Sequence, residues 1–225
     1  MKKLWKTKKG KWLIGLTILA IIAAGAGYYK HLQDIHDNHI LHTKIKSPVT
    51  TGFNAASVKQ GPVDPFTKAD LLKYRKQALR AGVQHYPNGY LEIPSINVAL
   101  PIYNHTNNLT LSLGVGKDYY LDSQYGKGNF VLAGHNMDEP GVLLSNLYQV
   151  KLGQTIILHG NNKDYKYRIT SKKVQSPYVK IIDGKPVKGS AYYLPEGNEK
   201  PIVTVYDCTF DGSNRLVVQG ELMDK

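Results

Sequence analysis

Cysteine is nearly absent from this chain. One stands in 225 residues, Cys208, so no intrachain disulfide is possible. Acidic residues are missing from the first thirty positions, which carry seven lysines and no Asp or Glu. The formal charge of +12 is therefore concentrated at the N-terminus. The remaining 195 residues hold 22 basic and 17 acidic groups, a net of +5. That balance lacks the clustered basic face of a nucleic-acid binder and excludes that class of partner. Internal repeats and low-complexity segments are absent too, which leaves one ordinary globular domain with appendages.

The apolar residues present are unevenly spread. Trp12 to Tyr29 is an uncharged run of 18 residues. As a helix it measures about 27 Å, close to the thickness of a hydrocarbon core. Six lysines precede it, whereas Lys30, Asp34 and Asp37 follow. This asymmetry puts the N-terminus in the cytoplasm and the C-terminal bulk outside, in a single pass. A cleaved signal peptide is the alternative, with Ala23 to Gly27 offering small residues, but the run is longer than a usual signal core. The expected division is a cytoplasmic basic tail over 1–11 and a transmembrane signal-anchor over 12–29. A stalk with an N-terminal helix follows over 30–85, then a β-barrel domain over 86–225.

Residues 30–63 read as a polar, irregular stalk with Pro48, Gly52, Gly61 and Pro62. His39 and His42 have helical spacing, but no carboxylate-backed third ligand accompanies them. Thr67 can cap a helix running to about Arg80, with Asp70 near its positive end. Leu71, Leu72, Tyr74, Ala78 and Leu79 form its apolar stripe.

Beyond residue 86 the pattern turns to short strand-like runs: Tyr90–Ile93, Val98–Tyr103, Asn129–Ala133, Thr155–Leu158, Lys166–Lys173, Ile202–Asp207 and Arg215–Leu222. Asn161-Asn162 and Asp183-Gly184 are turn signals. Val142 to Leu147 fits a short helix. Many short strands with few helices predict a mainly β fold, a closed antiparallel barrel of about eight strands, since closure removes exposed edges.

An exported chain with a single thiol carries either a fortuitous buried cysteine or a working one. Here Cys208 ends a strand-like run, Arg215 opens the next, and His135 lies just past Asn129–Ala133. A thiol, an imidazole and a guanidinium at three strand ends suit acyl transfer through a thioester. His85, His105 and His159 read as surface residues of loops and turns, and Arg168 as a solvated charge.

These residues resemble those of the sortases. Asn88 to Val98 (NGYLEIPSINV) is similar to the opening strand of that family, and Leu132-Ala133-Gly134-His135 to its histidine motif. Thr204-Val205-Tyr206-Asp207-Cys208 resembles its T-L-x-T-C signature, and the segment around Arg215 its arginine strand. The resemblance covers roughly residues 86–222. The short Cys-to-Arg interval and the N-terminal anchor look most like class A, the housekeeping sortases. Two positions depart from the signature: Val205 replaces Leu, and Asp207 replaces the second Thr. Strand alternation puts Thr204, Tyr206 and Cys208 on one face and Asp207 away from it. The Asp207 substitution therefore bears on substrate orientation and thiol pKa, not on the nucleophile's identity.

The resemblance implies a membrane-anchored cysteine transpeptidase. Its donors would be surface proteins bearing a Leu-Pro-x-Thr-Gly (LPxTG) sorting signal, cut between Thr and Gly. Its acceptor would be the amine of a cell-wall precursor of the lipid II kind. Cys208 would be the nucleophile, His135 the general acid and base, and Arg215 the stabiliser of oxyanion and substrate. Thr204, Tyr206 and Asp207 are the candidate substrate-binding residues. No cofactor is implied. Calcium activation stays open, because Glu92, Asp138, Glu139, Asp183, Glu196 and Glu199 are available but form no spaced oxygen-ligand loop. A hydrolytic cysteine protease with the same triad, a pilin-polymerising sortase and a catalytically silent binding module are the alternatives. The C-terminal membrane segment typical of the pilin enzymes is not found before Lys225.

Overall fold

The structure is a computed structural model describing residues 8–45, 59–160 and 162–224. The basic tail through residue 7, stalk residues 46–58 and Asn161 of the expected turn lie outside the described residues. The chain forms two compact units, Met1–Leu41 and His42–Lys225.

The first unit is helix α1, Lys8–His42. Among the described residues it is the one helix long and apolar enough to cross a membrane. Leu13, Leu16, Leu19, Ile21 and Ile22 are exposed along it. The helix does not stop at Tyr29. Residues 30–42 contain neither Gly nor Pro and continue it, so this part of the expected irregular stalk is helical.

The second unit begins with an extended arm and helix α2, Lys68–Arg80. Thr67 caps α2 as expected: its hydroxyl accepts from the Asp70 N–H, and the Asp70 carboxylate accepts from the Thr67 N–H. Leu71, Arg75 and Ala78 face inward, and Ala78 packs with Val83, Tyr103 and Leu113. This helix and the arm before it belong to the barrel unit, not to a separate stalk.

The barrel strands follow: β1 Gly89–Ile93, β2 Val98–Tyr103, then helix α3 Asn108–Leu113, β3 Val115–Lys117, β4 Asn129–Ala133, β5 Thr155–Gly160 and β6 Lys163–Gln175. A small hairpin, β7 Ile181–Ile182 with β8 Lys185–Pro186, precedes β9 Ile202–Cys208 and β10 Arg215–Leu222. Eight of these strands close in the order β1-β2-β3-β4-β9-β10-β6-β5. The closed eight-stranded barrel matches the expectation, but it is mixed. β2 with β3 and β4 with β9 pair in parallel. The expected strand boundaries lie within three residues of the observed ones. Strand β3 and helix α3 were not expected, being too short for a periodic signal. The expected helix over Val142–Leu147 is replaced by a chain of turns ending in a 3-10 turn at Leu147–Gln149.

Every residue of β4 is buried, as are the middle residues of β9, so both faces of this pair are covered. Val203 and Val205 point to the interior. On the outer face Asn129 pins the segment before β9: its Nδ2 donates to the carbonyls of Ala191 (3.0 Å) and Tyr193 (2.8 Å). Its Oδ1 accepts from Thr204 Oγ1 at 2.9 Å, while Gln219 Nε2 donates to Thr204 Oγ1 (3.1 Å) and to the Ser190 carbonyl (2.9 Å). These bonds lie out of water, so a missing partner leaves a desolvated group unpaired. Asn129→Ala should therefore lower unfolding stability by about 2–4 kcal/mol, read as a drop in the urea midpoint at unchanged slope. A change below about 0.5 kcal/mol would show that water replaces the amide without loss.

Candidate active site

Strand register brings the site together. In the β9–β10 ladder Cys208 is the direct partner of Arg215, and Tyr206 that of Val217. In the parallel β4–β9 ladder Ala133 is beside Tyr206, and the Gly134 N–H donates to the Tyr206 carbonyl at 3.0 Å. Two residues past Ala133, His135 comes level with Cys208. Since side chains alternate between faces, His135, Cys208 and Arg215 share the outer face at one level of three adjacent strands.

Local sequence fixes each position. A Cβ on Gly134 would meet Leu144 at 2.6 Å, so only glycine lets the chain pass there into His135. The His135 carbonyl accepts from the Leu144 N–H, and Asn136 Nδ2 donates to the Cys208 carbonyl at 3.2 Å. Between Cys208 and Arg215 the loop is organised by Asp211, which accepts from Thr209 Oγ1, Ser213 Oγ and the Ser213 N–H. Gly212 supplies the left-handed turn at φ 71°. The Arg215 Nη1 donates back to the carbonyls of Gly212 and Asn214.

The three side chains line a cavity of about 360 Å³, together with Asp118, Ala133, Gly134 and Tyr206. Its remaining wall is the arm ahead of α2, through Gln60, Val63, Asp64 and Pro65, with Thr106 and Leu111. Phe66 lies on the His135 ring with centroids 3.9 Å apart, and stacks on Tyr74 at 5.1 Å. Hydrogen bonds tie the arm to the loop before α3 and to the start of that helix: Gln60 exchanges bonds with Thr106, and Asp64 with Asn108. No local pattern signals this cover, because an extended segment has no periodicity and its partners are distant in the chain.

Of the three residues expected in a substrate groove, only Tyr206 lines the cavity. Thr204 is fully buried and spends its hydroxyl on Asn129 and Gln219. Asp207 is 2% exposed and points into the barrel with Oδ1 unpartnered, so neither residue reaches the cavity. His159 is not a loose turn residue. It sits on β5 between Glu92 (3.3 Å) and Asp164 (2.7 Å). Among the described residues no three His, Cys, Asp or Glu side chains are grouped as metal ligands. Glu92, Glu139, Glu196 and Glu199 are each in ion pairs.

The Sortase domain family model matches residues 91–223, well over half of the chain. The chain belongs to the sortase family. It is 26% identical over 196 residues to sortase A of Bacillus anthracis, spanning 80% of this sortase and 87% of the relative. The solved sortase A of Listeria monocytogenes superposes with a TM-score of 0.52 at 26% identity, over 61% of this chain and 88% of that one. Sortase C-1 of Actinomyces oris gives 0.51 at 25% identity, over 76% and 92%. Sortases are cysteine transpeptidases, so this sortase is an enzyme at the level of its family.

Burial governs the charges in the site. His135 is 7% exposed, its Nε2 has no partner, and desolvation holds its pKa down at about 4. The Cys208 thiol is pushed up, chiefly by burial; Arg215 pulls it down and Asp207 adds to the rise. Under the arm, imidazole and thiol are both neutral near pH 7. Phe66→Ala uncovers the ring, so the His135 pKa should rise toward the ordinary 6.5, followed by the imidazole proton shifts in an NMR titration. An unmoved value would show that Phe66 does not desolvate the ring.

Asp207 is displaced further. Burial raises its pKa from 3.8 to about 8. The folded chain then binds the extra proton between those two values. Its contribution to stability is full below about 3.8 and is lost as pH rises through about 8. Asp207→Asn carries no such proton. Relative to the wild type it should gain at least about 1.4 kcal/mol, the equivalent of one pKa unit, between pH 5 and pH 9. Parallel stability curves for the two proteins across that range would refute the displaced pKa.

Proposed function

We propose that this sortase is a membrane-anchored transpeptidase of class A type. It cleaves a Leu-Pro-x-Thr-Gly-like sorting signal between Thr and Gly and passes the acyl group to a cell-wall precursor amine. The observation that carries the reading is the level row of His135, Cys208 and Arg215 on one cavity wall. Helix α1 supports the anchor by its length and composition.

Each side chain has a role that its chemistry supports. Cys208 gives up its proton and its sulfur attacks the Thr carbonyl carbon, sending the carbonyl electrons onto oxygen. His135 is the ring base lining the cavity, and its unpartnered Nε2 is available to carry the proton. It delivers a proton to the departing Gly amine as the C–N bond breaks and the thioester forms. Arg215, directly across from Cys208, presents the donors of its planar guanidinium to the oxyanion. The incoming amine then attacks the thioester, His135 takes its proton, and Cys208 is released. Tyr206 forms part of the peptide's binding wall.

A pilin-polymerising role is the second reading, supported by the similar fit of sortase C-1 of Actinomyces oris. The acceptor decides: a glycine-type amine in the first case, a pilin lysine in the second. Full-length protein in detergent, given a sorting-signal peptide with and without triglycine, should yield the peptide-amine conjugate by mass spectrometry. Release of free acid alone, with amine present, would make it a hydrolase instead. Cys208→Ala should abolish both products. His135→Ala and Arg215→Ala should each slow turnover at least about a hundredfold, about 2.7 kcal/mol of transition-state stabilisation. Arg215→Lys should fail almost as badly, since an ammonium lacks the planar fork. Near-normal rates for that variant would reduce the role of Arg215 to charge.

A further inference from the structure

Beside the catalytic row lies a carboxylate to which the proposed reaction gives no role. Asp118 follows β3 directly and lines the cavity with His135, Cys208 and Arg215. Its Oδ2 accepts from Tyr206 Oη at 2.5 Å and from Tyr192 Oη at 2.9 Å, the two hydroxyls lying 3.1 Å apart. The backbone holds the carboxylate still: the Asp118 N–H donates to the Val131 carbonyl, and its carbonyl accepts from the Tyr120 N–H at 2.7 Å. The next two residues complete a grip on Tyr192. The Tyr119 ring stacks on it at 4.4 Å, and Tyr120 Oη donates to its carbonyl at 2.8 Å.

Tyr206 occupies a boundary. It lines the catalytic cavity and also a neighbouring groove of about 340 Å³, formed by residues 175–180 and 187–192 with Arg215 and Val217. With Arg215 it is one of two residues that border both spaces. An unrestrained phenol ring is free to take other staggered rotamers. The Asp118 bond and the edge-on Tyr192 ring, 6.2 Å away, select one.

We infer that Asp118 is a positioning residue for the transpeptidation: it holds Tyr206 as the partition between cavity and groove, and so sets the fit of the acyl-donor peptide. The inference rests on the transpeptidase reading above. A wall shape is felt equally in the bound substrate and in the transition state. Its loss therefore raises KM and leaves kcat nearly unchanged.

The test is steady-state kinetics of the full chain in detergent with the sorting-signal peptide and triglycine. Asp118→Ala should raise the peptide KM about tenfold, with kcat within about threefold and the triglycine KM unmoved. Asp118→Asn, whose amide oxygen still accepts, should recover most of the loss. Asp118→Ala combined with Tyr206→Phe should fall well short of the sum of the single effects, because the two variants share the loss of the Asp118–Tyr206 bond. If Asp118→Ala does not fold, Tyr206→Phe carries the same prediction from the other end, and an unchanged peptide KM there overturns the assignment. A fall in kcat at constant KM, or additive effects in the pair, overturns it as well. A wild-type chain that leaves the peptide uncleaved would instead defeat the transpeptidase reading, and this assignment with it.

Discussion

The site depends on the register of one strand. β9 lies between β4, its parallel neighbour, and β10, its antiparallel one, and its last residue is Cys208. A slip of one residue would turn Cys208 into the barrel and bring Asp207 to the cavity. The bonds that resist a slip lie mostly lower on the same face. Thr204, Asn129 and Gln219 form a buried polar row that fits one register only, with each side chain using the others as partners. At the upper end, the close pass of Gly134 against Leu144 and the Asp211-centred loop deliver His135 and Arg215 at the height of the thiol.

Burial supplies the electrostatics of the resting site. With Phe66 on its ring, His135 stays neutral well below the pH at which an exposed histidine charges. The thiol is held neutral by the same desolvation against the pull of Arg215. Asp207 adds little negative field near neutral pH, because its own burial keeps it protonated up to about 8. At the position just before Cys208, Asp207 thus faces the interior as a neutral acid near neutral pH. Admission of water or peptide beneath the arm changes the medium around the imidazole and the thiol at once.

Much of this was legible in the chain. The strands β2, β4 and β10 have the boundaries that their apolar runs predict, and the Thr67–Asp70 capping box is a local signal realised locally. His135, Cys208 and Arg215 could be picked out because each stands at a strand end within a recognisable motif. The parts that were not legible depend on contacts distant in sequence. Thr204 shares a face with Cys208 as alternation requires, yet the segment carrying Ser190 to Tyr193 covers it, and no local pattern shows a lid. The same holds for the arm at Gln60 to Phe66 and for Asp118, whose tyrosine partners are 74 and 88 residues away. Helix α1 outran its expected end because the reading stopped at the last residue of the apolar run, whereas residues 30–42, polar but free of Gly and Pro, continue the helix.

We propose that Cys208 carries the acyl group between donor and acceptor. Brief incubation of the full chain with a sorting-signal peptide, without amine, followed by acid quench and mass spectrometry tests it most directly. The account predicts a mass increase equal to the peptide's N-terminal part through Thr, located on Cys208 and removed by hydroxylamine. Peptide cleavage with no adduct on Cys208, or an adduct that persists in Cys208→Ala, would contradict it.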